Sequence, residues 1–280
     1  MRIIYAECMN YACVRATYAH VCARLQCPAM IESESSSALP ESLQRLWRVS
    51  SARSRGARQA LNLERVVAAA IAVADEQGLA AVSMSRVADQ LGASTMALYR
   101  HVASKDELLT LMVDGAAGPP PEVPLDAGWR PATEAWARAL ARVSKGWVIE
   151  VPISGPPLGP NTVAWMEAGL RALRDSGLGS LERLAVVTTL SGYVRQHAAL
   201  LQSMSVHSGG RPQRQLEFEW RQTLTELIDP QRFPEVSAAL AASAFDPDVS
   251  DPGGDPDFDF GLNCILEGVT RLAERQHGRR

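Results

Sequence analysis

Apolar residues return at helical spacing along most of the chain, beginning at Leu63, where Leu63, Val66, Val67, Ala70, Ile71 and Ala74 mark one face of a helix that Gly78 stops. A shorter apolar face of Val82, Val87, Ala88 and Leu91 follows a capping position at Ser83. Gly92 breaks it just before a second cap at Ser94. The next pattern runs through Thr95-Met-Ala-Leu-Tyr-Arg-His101. Ser104 and Glu107 then form a capping box that opens a fourth helix near Lys105, with Leu108, Leu109 and Met112 on one side. Gly115, Gly118 and the run Pro119-Pro120-Pro121 cannot propagate a helix and predict a change of unit. Beyond them helical patterns recur over residues 136–147, 162–173, 180–204, 213–228, 234–244 and 258–276, and almost nothing reads as strand.

The pattern therefore predicts an all-α fold. Residues 1–40 read as a disordered extension, 41–61 as an arm, 62–117 as a three-helix helix-turn-helix unit and 118–280 as a larger helical domain. Two short helices joined by a Gly-containing turn and packed on a longer one form a reader whose second helix enters the DNA major groove. Ser94 would cap that helix and leave its positive end near phosphate, with Thr95 and Met96 on the first turn, within reach of base edges. Leu98 would point inward. Tyr99 and Arg100 offer donors to phosphate or guanine, and Lys105 adds a charge at the start of the next helix.

Charge changes the picture locally rather than globally. The formal net charge is -3, which by itself gives no sign of a polyanionic partner. From Gln44 to Asn62, however, five arginines (Arg45, Arg48, Arg53, Arg55 and Arg58) stand without an acid, whereas Asp246 to Asp259 carries six aspartates and no base. From Leu63 to Asp114 there are four basic residues against seven acidic ones, so the reading unit is not itself a basic patch. The arm is the expected source of backbone or minor-groove contacts; a solvated linker is the other reading.

No stretch reaches the roughly 20 apolar residues of a membrane span, and no apolar core of a signal peptide stands at the N-terminus, so the chain is expected in the cytoplasm. Four of the five cysteines, Cys8, Cys13, Cys22 and Cys27, form two pairs whose four-residue gaps are wider than structural zinc sites usually show, and no metal or cofactor is expected. Cys264 stands in an apolar helical pattern.

At the reading unit a family resemblance becomes clear. Residues 62–114, above all Val82 to Leu109, resemble the DNA-binding domain of the TetR family of regulators. The resemblance rests on Leu91-Gly92, Leu98-Tyr99, His101-Val102, Lys105 and Leu108-Leu109. It implies Ser83, Arg86, Thr95, Met96, Tyr99, Arg100 and Lys105 as DNA contacts; Arg55 and Arg58 are expected to support them from the arm on the ground of its charge. The segments 155–160, 165–170 and 190–194 are similar to the tetracycline-repressor-like ligand-binding and dimerisation domain, and residues 1–30 have no counterpart in that pattern. The resemblance implies a homodimeric repressor of a palindromic operator, released when a small-molecule effector alters the spacing of the two heads.

Large side chains on the later helices supply effector-pocket candidates: Trp136, Trp147, Trp165, Met166, Tyr193 and His197, with Met204 beyond them. Ordinary core packing is the competing account of each. Leu184, Val187, Ser191 and Val194 on one helix, and Leu262, Ile265, Leu266, Val269 and Leu272 on the last, are expected to pair between subunits as a four-helix bundle. No Gly-rich phosphate loop, paired-His zinc motif or nucleophile elbow occurs, so no enzymatic activity is expected. Asp255 to Gly261 alternates like a calcium loop, but its Gly falls one place late and it reads as a solvated loop. A helical metal-binding or scaffold protein that does not touch DNA is the rival reading, and substitution of Tyr99 and Arg100 separates the two.

Overall fold

The computed structural model describes residues 42–44, 46–47, 61–144, 146–152, 158–207, 213–242 and 255–277. Among the described residues the regular elements are helices: α1 (Leu63–Gln77), α2 (Met84–Leu91), α3 (Thr95–Tyr99), α4 (Lys105–Ala117), α5 (Trp129–Val143), α6 (Pro160–Ala172), α7 (Ser180–His207), α8 (Gln213–Leu227), α9 (Pro234–Ala241) and α10 (Pro256–His277). Arg55, Arg58 and the other arginines of the arm lie outside the described residues, as do Cys8, Cys13, Cys22 and Cys27.

Local chemistry fixes the first four helices. Asn62 Oδ1 accepts from Arg65 N at 2.9 Å, Ser83 Oγ from Arg86 N at 3.2 Å, Ser94 Oγ from Ala97 N at 3.3 Å and Ser104 Oγ from Glu107 N at 3.1 Å. Each cap contributes about 1 kcal/mol by satisfying a donor that the helix leaves orphaned. Gly92, at φ 63 and ψ 33, takes the left-handed conformation that ends α2 and turns the chain into α3. The Glu107 carboxylate reaches Ala103 N at 2.5 Å, one residue before the expected partner Ser104, and also accepts from the Ser42 hydroxyl. The start of the arm, the lead-in to α1, is thus tied to α4.

Two apolar cores result. The first holds Val66, Ala70 and Val73 of α1, Val87 and Ala88 of α2, Leu98 of α3 and Leu108, Leu111 and Met112 of α4, with Leu43 of the lead-in. The second is built from Trp136, Trp165, Leu173, Val187, Leu190, Val194, Leu262 and Leu266 on α5, α6, α7 and α10.

Three boundaries differ from the pattern along the chain. Helix α5 begins at Trp129, seven residues before the predicted start, because Pro131 falls in its first turn, where a missing N–H costs nothing. It ends at Val143, and after Gly146, at φ 59, Trp147 lies in a separate 3-10 turn, Gly146–Ile149. Trp147 and Val151 join the first core, so the packing does not divide cleanly after residue 117. Finally, the aspartate alternation read as a loop is the start of α10. Asp255 Oδ1 accepts from Phe258 N at 3.0 Å, and Pro256 opens the helix, where proline is favoured.

Candidate nucleic-acid interface and its connection to the helical domain

Helix α3 is five residues long and cannot be stable alone. Leu98, fully buried, anchors it to the first core, and the Ser94 cap holds its first turn. The opposite side faces outward: Met96 is 71% exposed and Tyr99 49%, an unusual placement for two large apolar side chains within four residues. Thr95 is half-buried, and Arg100 and Lys105 are exposed. Arg86, exposed on α2, donates from Nη2 to Gln77 Oε1 at 2.5 Å, so its guanidinium is positioned from α1. Ser83 is occupied as a cap. The structure thus brings Arg86, Thr95, Met96, Tyr99, Arg100 and Lys105 together on the two short helices and the start of α4.

Sequence reasoning missed the device that joins this head to the helical domain. Asp114, buried near the end of α4, accepts from Thr162 N at 2.8 Å, Thr162 Oγ1 at 3.0 Å and Asn161 N at 3.4 Å, while Asn161 Nδ2 donates to Asp114 O at 3.0 Å. A carboxylate from one unit therefore caps α6 of the other, whose own N-cap residue, Gly159, has no side chain to do so. The available signal was that uncapped Gly-Pro start, which leaves donors needing a remote acceptor.

The expected pocket residues divide rather than gather. Trp136 is buried with Nε1 donating to Trp165 O at 2.9 Å, and Trp165 donates to Gly118 O at 3.0 Å. Trp147 donates to Asp75 Oδ1 at 2.6 Å and packs in the reading-head core. These three indoles are structural joints, and the expectation that they line one cavity with the others is corrected for Trp147. Met166, Tyr193 and His197 keep partial exposure. Tyr193 stacks on Phe258, with centroids 5.5 Å apart, and donates to Phe258 O at 2.8 Å. Burial, then the charges of Asp255, Asp257 and Asp259, push its phenol above the usual tyrosine range, so it remains a donor. His197 Nε2 lies 2.6 Å from Asp255 Oδ2, tying α7 to the start of α10. Arg195, its pKa lowered by burial, donates to Val148 O at 3.4 Å, to Ile149 O at 2.6 Å and to Val151 O. This clamps α7 to the segment that carries Trp147.

The expected dimer stripe also divides. Val187, Val194, Leu262, Leu266 and Val269 are buried inside the chain's own core and offer nothing to a partner, a correction that follows from α7 packing on α10 within one chain. Leu184 and Leu272 are 39% exposed, and Ser191 and Ile265 are half-buried. Between them the outward faces carry small residues, Ala185, Thr188 and Gly192 on α7 and Cys264 and Gly268 on α10. No helix among the described residues is long and apolar enough to cross a membrane, and those residues contain no group of three His, Cys, Asp or Glu able to hold a metal ion.

Comparison with known proteins agrees with this geometry. Residues 66–112 match the family model described as bacterial regulatory proteins, tetR family, and residues 121–273 match the tetracyclin repressor-like C-terminal domain. The HTH-type transcriptional repressor DrrR1 of Streptomyces coeruleorubidus is 36% identical over 257 residues, covering 88% of this chain and 91% of its own. An HTH-type transcriptional regulator of Saccharopolyspora erythraea is 30% identical over 219 residues, 76% of this chain and 86% of its own. Among solved structures, apo ActR from Streptomyces coelicolor superposes with a TM-score of 0.63 at 28% identity, covering 77% of this chain and 99% of ActR. ActR in complex with actinorhodin superposes with a TM-score of 0.64 at 26% identity and the same coverage. With a capped, outward-facing reading helix on one core and the matching helical domain on the other, the chain belongs to the TetR family and is an all-α, DNA-binding transcriptional regulator.

Proposed function

We propose that the chain works in the cytoplasm as a homodimeric repressor whose two heads dock in adjacent major grooves of a palindromic operator. A small-molecule effector bound in the helical domain releases it. The observation that carries the reading is the presentation of α3: Leu98 and Ser94 fix the helix, while Met96, Tyr99 and Arg100 face outward beside Arg86 and Lys105. Arg55 and Arg58 of the arm add sequence-independent phosphate contacts. Repression is supported by the likeness to DrrR1, and effector response by that to ActR with actinorhodin. The effector meets Met166, Tyr193 and His197, and the three tryptophan joints carry the displacement toward the head. Subunits pair through Leu184, Ser191 and Ile265 with the small residues between them.

The test is a gel shift with DNA from the protein's own upstream region. Tyr99→Ala/Arg100→Ala is expected to lose specific retardation while its circular dichroism and oligomeric state stay as in wild type. Equal retardation by wild type and variant would place DNA recognition elsewhere.

A further inference from the structure

Where α6 ends and α7 begins, a surface cavity of about 220 Å³ is lined by Glu167, Leu170, Arg171, Arg174, Ser180 and Arg183. None of the three guanidinium groups forms an ion pair with a described residue. Arg183 Nη2 is held by Ser180 Oγ at 3.2 Å, and Arg183 Nε is buried without a hydrogen-bond acceptor among the described residues. Buried polar groups are nearly always paired, so Arg183 gains from any side-chain shift that gives its Nε an acceptor, and the exposed Arg171 and Arg174 line the same cavity. Ser180 opens the 28-residue helix α7, whose N-terminal dipole adds positive potential at the same place. Nearby Glu182 offsets part of this potential, but its carboxylate is directed to Gly179 N, at 2.9 Å, and to the Gln276 side chain, and it forms no ion pair with the three arginines.

We propose that this cavity binds a phosphate dianion, free or as the monoester of a small metabolite, at a site separate from that of the effector. Three arginines against the single carboxylate of Glu167 leave a net lining charge that matches a dianion better than a monocarboxylate. Planar guanidinium forks suit tetrahedral phosphate oxygens. The cavity is smaller than the roughly 300–1,000 Å³ of pockets for drug-sized ligands, which favours a compact body on the phosphate. Glu167 is placed to accept from a hydroxyl of that body, and Leu170 gives it an apolar wall. Helix α6 runs from this cavity to the Asp114 cap, about 20 Å away. An anion that gathers the arginines therefore acts on the far end of the helix that meets the reading head.

The test uses the full-length protein at constant ionic strength and about pH 8, where phosphate is dianionic. Inorganic phosphate and glycerol 3-phosphate are titrated by calorimetry and thermal melting, with chloride as the compensating anion. Wild type is expected to bind saturably, with a melting point raised by about 3–5 °C at ten times the half-saturating concentration. Arg174→Gln, on the exposed rim, and Arg183→Gln are each expected to weaken binding at least tenfold, while Arg142→Gln, outside the cavity, leaves it unchanged. Tighter binding of glycerol 3-phosphate identifies a monoester as the ligand, and equal binding identifies free phosphate; both support the site. A response that does not saturate, or that Arg174→Gln retains in full, means an adventitious ion only and overturns the proposal.

Discussion

The contact between Gly159 and Asp114 shows how much of the joint depends on two residues far apart in sequence. Gly159 has φ -79, which any residue adopts, so conformational freedom is not what requires glycine there. A Cβ at that position would stand 2.1 Å from Asp114 Oδ1 and 2.3 Å from its Cγ. The carboxylate cannot retreat without releasing its bonds to Thr162 and Asn161. Gly159→Ala is therefore expected to cost about 2–3 kcal/mol, the scale of leaving buried donors and a charged acceptor unpaired. Asp114→Asn should cost a similar amount, because its amide offers donors to donors. In a denaturant-melt cycle with Gly159→Ala, the Asp114→Ala double variant should lose clearly less than the sum of the two singles, since both break the same cap. Additive losses would mean that the two residues stabilise the fold separately.

The reading helix is the element whose stability and function are least separable. Five residues supply too few hydrogen bonds to hold a helix, so α3 depends on Leu98 below it and Ser94 before it. Ser94→Ala should lower global stability by about 1 kcal/mol and weaken operator binding more than nonspecific DNA binding, with Ser94→Asp restoring the stability. Unchanged operator affinity in the alanine variant would mean that the cap is not what orders the helix. Trp147→Phe keeps the ring in the first core but removes the indole donor to Asp75, and is expected to cost about 1–2 kcal/mol in chemical denaturation. The contrast between these two sites explains what the sequence discloses. Ser83, Ser94, Ser104, Gly78 and Gly92 act on backbone groups within a few residues, so α1 to α4 and the exposed face of α3 were legible from local pattern. Trp147 meets Asp75 across 72 residues and Asp114 meets Thr162 across 48, and no local periodicity records such pairs. The same holds for the apolar stripes of α7 and α10. Their spacing told that Val187 and Leu266 would be buried but not whether within one chain or between two.

For the whole molecule, two glycines bear on that last question. Gly192 on α7 and Gly268 on α10 are both exposed, and a Cβ built on either meets nothing within 4 Å. Inside a helix each glycine costs about 0.5–1 kcal/mol relative to alanine, and neither the fold of the chain nor a tight turn requires it. In the proposed homodimer the requirement comes from outside the protomer, where a second copy of α7 and α10 would pack with its backbone close by. Gly192→Arg and Gly268→Arg test this directly, because open space in the protomer lets either side chain be built without disturbing the core. Each variant is expected to keep the helical content of wild type by circular dichroism and to run as a monomer by light scattering at micromolar concentration. Operator affinity should fall about 10²–10⁴-fold, the loss of linking two half-site contacts in one molecule, while binding of an isolated half-site stays as weak as in wild type. A variant that remains a dimer with full operator affinity would move the subunit interface away from these faces and leave the two glycines without a structural account.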